Sequence, residues 1–314
     1  VQIRKAVIFG ATGATGKWIG SELAGRGIAV RVVSRNRTNL ERVFPEAWAE
    51  RMEVDIHDPG AAAHAAEGAD LIFHCVGLPY PQFADHPLLA RSTAEAMRRT
   101  GARCLLVSSY YAYEPILRTP IDENHPREPR AFKAKMRKEQ EDILLDAGAA
   151  VTLLPDFYGP SVEISMLGLA LRDMARGRTA NWIGKPDVLR QHIYVPDAAG
   201  ILVDLAGKDE AYGQRWNVAT CDGVSIGDLL GIVERNLGRR PRIRTVGIAT
   251  LRLGGLFSPV LRGLAELYDL YAGPMVLDSS KLRRLLGHIP TTSYEEGIRA
   301  TLVSMRPATG PGQG

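Results

Sequence analysis

Residues 6–16 leave few folds open to this chain of 314 residues. Ala6-Val7-Ile8-Phe9 runs straight into Gly10-Ala11-Thr12-Gly13-Ala14-Thr15-Gly16. Four apolar residues with no helical period, ending in glycines, predict a buried parallel strand that turns sharply into a helix. Glycine serves three needs there: a tight turn, a backbone that can approach a phosphate, and a helix packed closely on the strand. Residues 17–24 supply the helix, whose free N–H groups face an anion. Gly25 and Gly27 end it before a second apolar run at 28–33. Strand, glycine turn, helix and second strand at this spacing predict a dinucleotide-binding turn. The competing reading is a glycine-rich turn on an α/β scaffold that has lost its ligand.

Strand signals recur at 6–9, 28–33, 52–54, 70–76, 104–107 and 150–154, with helices predicted between them at 38–43, 60–66, 88–100 and 132–147. This βαβ series predicts a doubly wound parallel sheet of the Rossmann type. The length suits such a domain plus a smaller mixed lobe. We expect residues 1–157 to form the dinucleotide-binding domain, with return segments near 191–222. Residues 158–190 and 223–306 would form a substrate lobe, and 307–314 a frayed tail. In such sheets ligands sit beyond the carboxyl ends of the strands.

Composition excludes several classes. Hydrophobic residues at 45% and charged ones at 24% describe a globular, water-soluble chain. The formal charge is only +4, and no basic stripe interleaves with aromatics, so nucleic acid is not an expected partner. Cys75, Cys104 and Cys221 are too few for a disulfide framework or a zinc site, which predicts a reducing, cytoplasmic compartment. The seven histidines show no HxxxH spacing, so no metal is expected. The chain enters its first strand without room for a signal peptide, and no apolar run reaches membrane length. The richest run, 251–267, is broken by Arg252, Arg262, Pro259 and glycines, and predicts a lobe helix or pocket lid.

Seven motifs in order resemble the extended short-chain dehydrogenase/reductase superfamily, which contains sugar-nucleotide epimerases, dehydratases and NADP-dependent ketone reductases. They are Gly10-x-x-Gly13-x-x-Gly16, Val54-Asp55, Val107-Ser108-Ser109, Tyr158-Gly159-Pro160, Tyr194-Val195-Pro196-Asp197, Trp216-Asn217-Val218, and Asp278-Ser279-Ser280-Lys281 with Leu286-Gly287. The resemblance implies that Thr12, Gly13, Ala14 and Thr15 cradle a pyrophosphate, and that Asp55 and Ile56 border the adenine. It places Cys75, Val76 and Gly77 along the cofactor, with Pro155 and Phe157 near the nicotinamide. An acid closing the second strand would accept the ribose hydroxyls of NAD, whereas arginine there would pair with a 2′-phosphate. The chain has Ser34-Arg35-Asn36-Arg37, which favours NADP(H) over a merely solvated loop.

One departure bears on the chemistry. The family's Tyr-x-x-x-Lys frame, laid on Pro129 and Glu141, puts Lys133 at the tyrosine position and Arg137 at the lysine position. A second register, pairing Lys135 with Glu139, puts Ala131 there instead. Neither register supplies the tyrosine. Lys133 and Arg137 share a helix face. Arg137 would bind ribose or phosphate while its charge favours a neutral Lys133 able to act as general acid or base. The alternative is that Lys133, Lys135, Arg137 and Lys138 form the solvated side of a surface helix. Ser109 aligns with the family's catalytic serine or threonine. Tyr110 and Tyr111 follow it, where dehydratases carry acidic residues, and either phenol could replace the missing one, with Tyr111 preferred.

The resulting expectation is an NADP(H)-dependent oxidoreductase that reduces a C=O, C=N or activated C=C bond of a small molecule. Redox-neutral epimerase, isomerase or lyase chemistry and a non-catalytic NADP sensor stand as alternatives. Tyr80, Gln82, Asp85 and His86 are expected at the substrate pocket, His192 is expected to be structural, and Asp156 to face substrate or cap a turn. Trp182, Phe157, Tyr158, Leu256, Phe257, Leu267, Tyr268 and Tyr271 suggest an apolar cavity. Arg190, Arg252 and Arg262 leave a sugar nucleotide open as substrate. The resemblance also implies a homodimer through helices 88–100 and 132–147.

Overall fold

In the computed structural model, which describes residues 2–162 and 164–305, alternating strands and helices build one seven-stranded sheet with two small sheets beside it. The first six strands are β1 (Lys5–Phe9), β2 (Ala29–Ser34), β3 (Ala49–Glu53), β4 (Leu71–His74), β5 (Arg103–Ser109) and β6 (Ala150–Leu154). Then come β7 (Asp156–Tyr158), β8 (Ala180–Ile183), β9 (His192–Tyr194), β10 (Arg215–Asn217) and β11 (Ile243–Val246). The main sheet has the order β10-β6-β5-β4-β1-β2-β3, every neighbour parallel. This is the doubly wound arrangement that the strand spacing predicts. β7 pairs with β9, and β8 with β11.

The strands lack a polar face because both faces are covered. Ala6, Ile8, Val30, Val32, Leu71 and Phe73 point to the side covered by α1 (Ala14–Gly25), α2 (Arg37–Val43) and, later in the chain, residues 195–206. Val7, Phe9, Val33, Ile72, Cys104 and Leu106 point to the other, covered by α3 (Pro59–Ala66), α4 (His86–Thr100) and α5 (Phe132–Asp146). The alternation follows from the two-residue period of a strand. The third strand lies at 49–53 rather than 52–54. It is the sheet edge, and its Glu50, Arg51 and Glu53 give no apolar run to read.

Two further clusters lie beyond the two faces of the main sheet. Around Trp182 and Tyr158 pack α6 (Met166–Ala175), α8 (Ile226–Leu237) and α13 (Tyr294–Ser304), with α7 (Val195–Ala206) leading back beneath the sheet. Around Tyr110, Tyr113 and Tyr271 pack α9 (Ile248–Gly255), α10 (Pro259–Glu266) and α11 (Tyr268–Ala272); α12 (Ser280–Leu286) follows. Among the described residues no helix is long and apolar enough to cross a membrane, and no group of three or more His, Cys, Asp or Glu could hold a metal ion. The expected tail at 307–314 lies outside the described residues.

Candidate active site

The glycine turn is shaped by what surrounds it. Gly10 adopts φ +77°, and a Cβ there would lie 2.9 Å from backbone atoms of Cys75 and Val76, where the chain leaves β4. A Cβ on Gly16 would lie 2.7 Å from the Gly10 carbonyl oxygen, so α1 can pack onto the turn only with glycine there. At Gly13 the nearest such atom is 3.4 Å away and the residue is exposed. Gly13 is the N-cap of α1, which has no side-chain cap and no acidic residue in its first turn. Its first-turn N–H groups therefore lack acceptors among the described residues, and with the open cradle at Gly13 they fit a pyrophosphate. Thr12, Ala14 and the buried Thr15 complete that turn. Two contacts tie α1 to the far lobe: Trp18 Nε1 donates to the Pro160 carbonyl at 3.1 Å, and Lys17 Nζ to Ser161 Oγ at 3.2 Å.

Beyond β2, Ser34 is half-buried and Asn36 caps α2 by accepting from the Asn39 N–H at 2.9 Å. The two arginines of this loop differ. Arg37 is bonded to Glu41 at 2.8 Å and to the Arg51 carbonyl at 3.5 Å. Arg35 is exposed, forms no hydrogen bond or ion pair among the described residues, and lies in the electrostatic field of Asp55. Asp55 itself accepts from the His57 N–H at 3.0 Å and lies 2.8 Å from its Nδ1, while Ile56 is buried beneath.

Beyond β4 and β6, Cys75 and Val76 are half-buried, Gly77 is exposed, Pro155 is buried and Phe157 half-buried. Ser109 Oγ is buried and has no hydrogen-bond partner among the described residues. The two tyrosines after it diverge, as successive residues must on leaving a strand. Tyr110 enters the lobe, where its hydroxyl accepts from Arg190 Nη2 at 2.8 Å. Arg190 is 2% exposed, and its Nη1 donates to the carbonyls of Leu270 (3.0 Å) and Gly273 (2.5 Å). Tyr110 and Arg190 thus brace α11 against the sheet.

Tyr111 enters a phenol cluster. Its hydroxyl is hydrogen-bonded to that of Tyr271, which shares a second bond with Tyr80 at 2.8 Å. Burial pushes all three phenols above their ordinary value. Tyr80 comes from the segment after β4, Tyr111 from the turn after β5 and Tyr271 from α11. The sequence singled out Tyr271 only as a cavity residue, because nothing in its local pattern marks a partner 160 positions away.

Lys133 corrects the expected electrostatics. It is buried on the inner face of α5, but its ammonium is paired with the Glu266 carboxylate, and its N–H donates to the same carboxylate at 2.9 Å. The ammonium also lies 5.3 Å from the centre of the Tyr80 ring. The charge that faces this ammonium is thus a carboxylate, and an ion pair stands where the sequence predicts like-charge repulsion from Arg137. Arg137 donates to Gln140 at 2.8 Å and sits 5.6 Å over the Phe83 ring, which stacks on Tyr111 at 6.4 Å. Burial lowers its pKa, while the fields of Tyr111 and Glu141 act the other way. Lys135 is exposed and Lys138 pairs with Asp142 at 2.6 Å, so only that side of α5 is the solvated one.

One pocket expectation is corrected: His86 is wholly buried against Phe83, whereas Gln82 is exposed and Asp85 lies 3.7 Å from His57. Trp182 and Tyr158 are core residues of the other lobe cluster, and Leu256 and Phe257 face solvent, so these four line no cavity. Leu267 and Tyr268 pack with Tyr271.

Asp156 was legible only as one of two options. Its Oδ2 accepts from the Leu167 N–H at 3.2 Å and lies 3.8 Å from His192 Nδ1, and its charge is felt by Tyr80, Tyr110 and Tyr111. Burial pushes its carboxyl up to about 6, and burial likewise holds His192 down to about 3, hence neutral. A carboxyl raised in the folded state binds protons that the unfolded chain has released, so stability falls as pH rises from about 4 to 6 and stays lower above. A two-unit shift corresponds to about 3 kcal/mol. Asp156→Asn keeps an acceptor for Leu167 and removes the buried charge. We predict that it is more stable than the parent by about 2 kcal/mol at pH 8 and equal at pH 4. Urea unfolding at both pH values checks this; a variant equally stable at pH 8 would show that no charge is buried there.

A family model described as NAD(P)H-binding matches residues 10–154. The ceramide reductase of Caulobacter vibrioides is 32% identical over 241 residues, covering 75% of this chain and 71% of that one. The UDP-glucuronic acid 4-epimerase of Bacillus cereus, solved with NAD, superposes with TM-score 0.78 at 15% identity, covering 96% of this chain and 98% of that one. The chain belongs to the extended short-chain dehydrogenase/reductase family. A dTDP-glucose 4,6-dehydratase from Bacillus anthracis, also solved with NAD, gives TM-score 0.79 at 13% identity, with 96% of both chains covered. At those identities the solved structures establish the fold alone. Within this short-chain dehydrogenase/reductase, α5 reads FKAKMRKEQEDILLD and contains no tyrosine. The phenols of Tyr80, Tyr111 and Tyr271 come together from three other segments.

Proposed function

We propose that this chain is an NADP(H)-dependent reductase of a ketone carried on a long apolar molecule. The observation that carries the reading is the fate of the three arginines that could have held a sugar nucleotide. Arg190 is consumed by Tyr110 and backbone carbonyls, and Arg252 and Arg262 are exposed on the α9–α10 hairpin, so none of the three belongs to the cluster in which Tyr80, Tyr111 and Tyr271 pack with apolar side chains. The 32% identical relative, a ceramide reductase by name, supports the same class of substrate.

The cofactor, when bound, supplies the hydride. The protein's part is to hold it and to place a proton. In this reading the N–H groups of α1 with Thr12 and Gly13 hold the pyrophosphate, Arg35 the 2′-phosphate, and Asp55 and Ile56 the adenine edge. Cys75, Val76, Gly77, Pro155 and Phe157 line the nicotinamide end. Ser109 Oγ, buried and unpartnered, orients the carbonyl oxygen. Tyr111 gives the proton, with Arg137 and the Tyr271 hydroxyl positioned to stabilise its phenolate. Lys133, tied to Glu266, positions Tyr80 and α10. The division at residue 157, and dimerisation through α4 and α5, belong to the same reading.

The test of the cofactor side is an equilibrium titration with NADPH and NADH. Arg35→Ala should weaken NADPH by about 1–3 kcal/mol and leave NADH unchanged, because only the charge-assisted bond to the extra phosphate is lost. Arg37→Ala should do less, since that guanidinium is already engaged by Glu41. Equal losses for both nucleotides would remove the 2′-phosphate assignment.

A further inference from the structure

The hairpin of α9 and α10 has two unlike faces. Its inner face roofs the phenol cluster: Leu251, Leu261 and Leu264 pack with Tyr80, Tyr111 and Tyr271, and Glu266 at its end holds Lys133. The fit is close. A Cβ on Gly263 would lie 2.5 Å from the Tyr80 ring and 2.9 Å from Lys133 Cε, and one on Gly254 would lie 2.6 Å from Leu261 across the hairpin. The hairpin is therefore a preformed wedge seated on the site. Its tip is the opposite of a solvated turn. Leu253 is 66% exposed, Leu256 69%, Phe257 87% and Val260 53%, four large apolar side chains within eight residues.

Charge identifies what such a tip meets. Residues 236–265 contain six arginines and no acidic residue. Arg252 and Arg262 flank the apolar tip and are both exposed; Arg262 Nε donates to the Gly255 carbonyl at 3.1 Å, while Arg252 forms no hydrogen bond or ion pair among the described residues. Large apolar side chains at an exposed tip, bordered by arginine and free of acid, match the boundary of an anionic bilayer, where rings and aliphatic chains enter the acyl region and guanidinium groups meet the phosphates. We propose that the α9–α10 tip docks on an anionic lipid surface, with Leu253, Leu256, Phe257 and Val260 inserted and Arg252 and Arg262 at the headgroups. The contact is peripheral, consistent with the absence of a spanning helix among the described residues. Its functional meaning rests on the reductase reading: a wedge whose outer face enters lipid and whose inner face lies on Tyr80 and Lys133 gives a long-chain ketone a route from bilayer to cleft without crossing water.

The experiment is co-sedimentation of the full chain, with NADPH, on vesicles of phosphatidylcholine with or without phosphatidylglycerol. Binding should strengthen on the order of tenfold with the anionic lipid. It should fall by more than about tenfold in Leu256→Ser/Phe257→Ser, and the preference for anionic vesicles should shrink in Arg252→Glu. Both sets of substitutions lie on exposed side chains, so folding is not at stake. Failure of the parent protein to sediment with either vesicle would overturn the proposal. So would a parent protein that is dimeric and ignores vesicles while the Leu256/Phe257 variant is monomeric, since the tip would then join two copies of this chain. Reduction of a water-soluble ketone, followed in the same preparations, separates this from the reductase reading. Vesicle binding without any NADPH consumption upholds the docking surface and counts against the reaction.

Discussion

Tyr111→Phe is expected to lower the turnover of ketone reduction by about 10²–10⁴-fold with little change in substrate KM, the range that a positioned proton donor contributes. The substitution is a narrow one. The ring that stacks on Phe83 is retained, and only the hydroxyl bonded to Tyr271 is removed. Burial keeps the phenol protonated at neutral pH, so it carries the proton it has to give. The phenolate left behind would lie within the field of Arg137 and within reach of the Tyr271 hydroxyl. Tyr110→Phe should leave turnover within a few-fold, because the Tyr110 hydroxyl is spent on Arg190. A Tyr111→Phe enzyme as fast as its parent would remove this phenol from the mechanism.

The second large effect is on stability. Gly10→Ala places a side chain at φ +77°, which costs about 1–2 kcal/mol for an L-residue. It also drives a Cβ to 2.9 Å from main-chain atoms of Cys75 and Val76, which have no rotamer to escape into, for about 1–3 kcal/mol more. A total of about 2–5 kcal/mol is a large share of the roughly 5–15 kcal/mol that holds a domain together. Gly13→Ala is the contrasting case. Its φ of −73° suits alanine and its nearest neighbour is the Gly10 oxygen at 3.4 Å, so unfolding should change by about 0.5 kcal/mol or less while NADPH affinity falls. Urea unfolding of both variants checks the pair; an undiminished midpoint in Gly10→Ala would contradict the turn geometry.

The sheet was legible because its signals are local. Each buried parallel strand is an apolar run, and Gly10 and Gly16 answer to atoms a few residues away or in the neighbouring strand exit. The edge strand was misplaced because Glu50, Arg51 and Glu53 interrupt any run. The proposed catalytic end is legible only in part. The family resemblance points to Ser109, Tyr110 and Tyr111 after β5, but what distinguishes the two tyrosines is Arg190 for one and Tyr271 for the other, at separations of 80 and 160 residues. Lys133 is a candidate acid or base from the sequence because the family's frame, laid on Pro129 and Glu141, puts it at the tyrosine position with Arg137 one turn on. Its actual counter-ion, Glu266, is 133 residues away, in the 251–267 run that predicts a helix or lid but whose contact with α5 no local pattern shows. Burial misled the cavity assignment in the same way, since Trp182 and Phe257 are both large and apolar, yet one is core and the other 87% exposed.

The most direct test of the central claim follows the hydride. The protein would be incubated with NADPH carrying deuterium at its transferable position and a long-chain ketone presented in mixed micelles, and the lipid product examined by mass spectrometry. A reductase of this kind places one deuterium on the carbinol carbon of the alcohol and consumes one NADPH for each. An isomerised product without deuterium, with the NADPH untouched, would contradict it and assign the fold to redox-neutral chemistry.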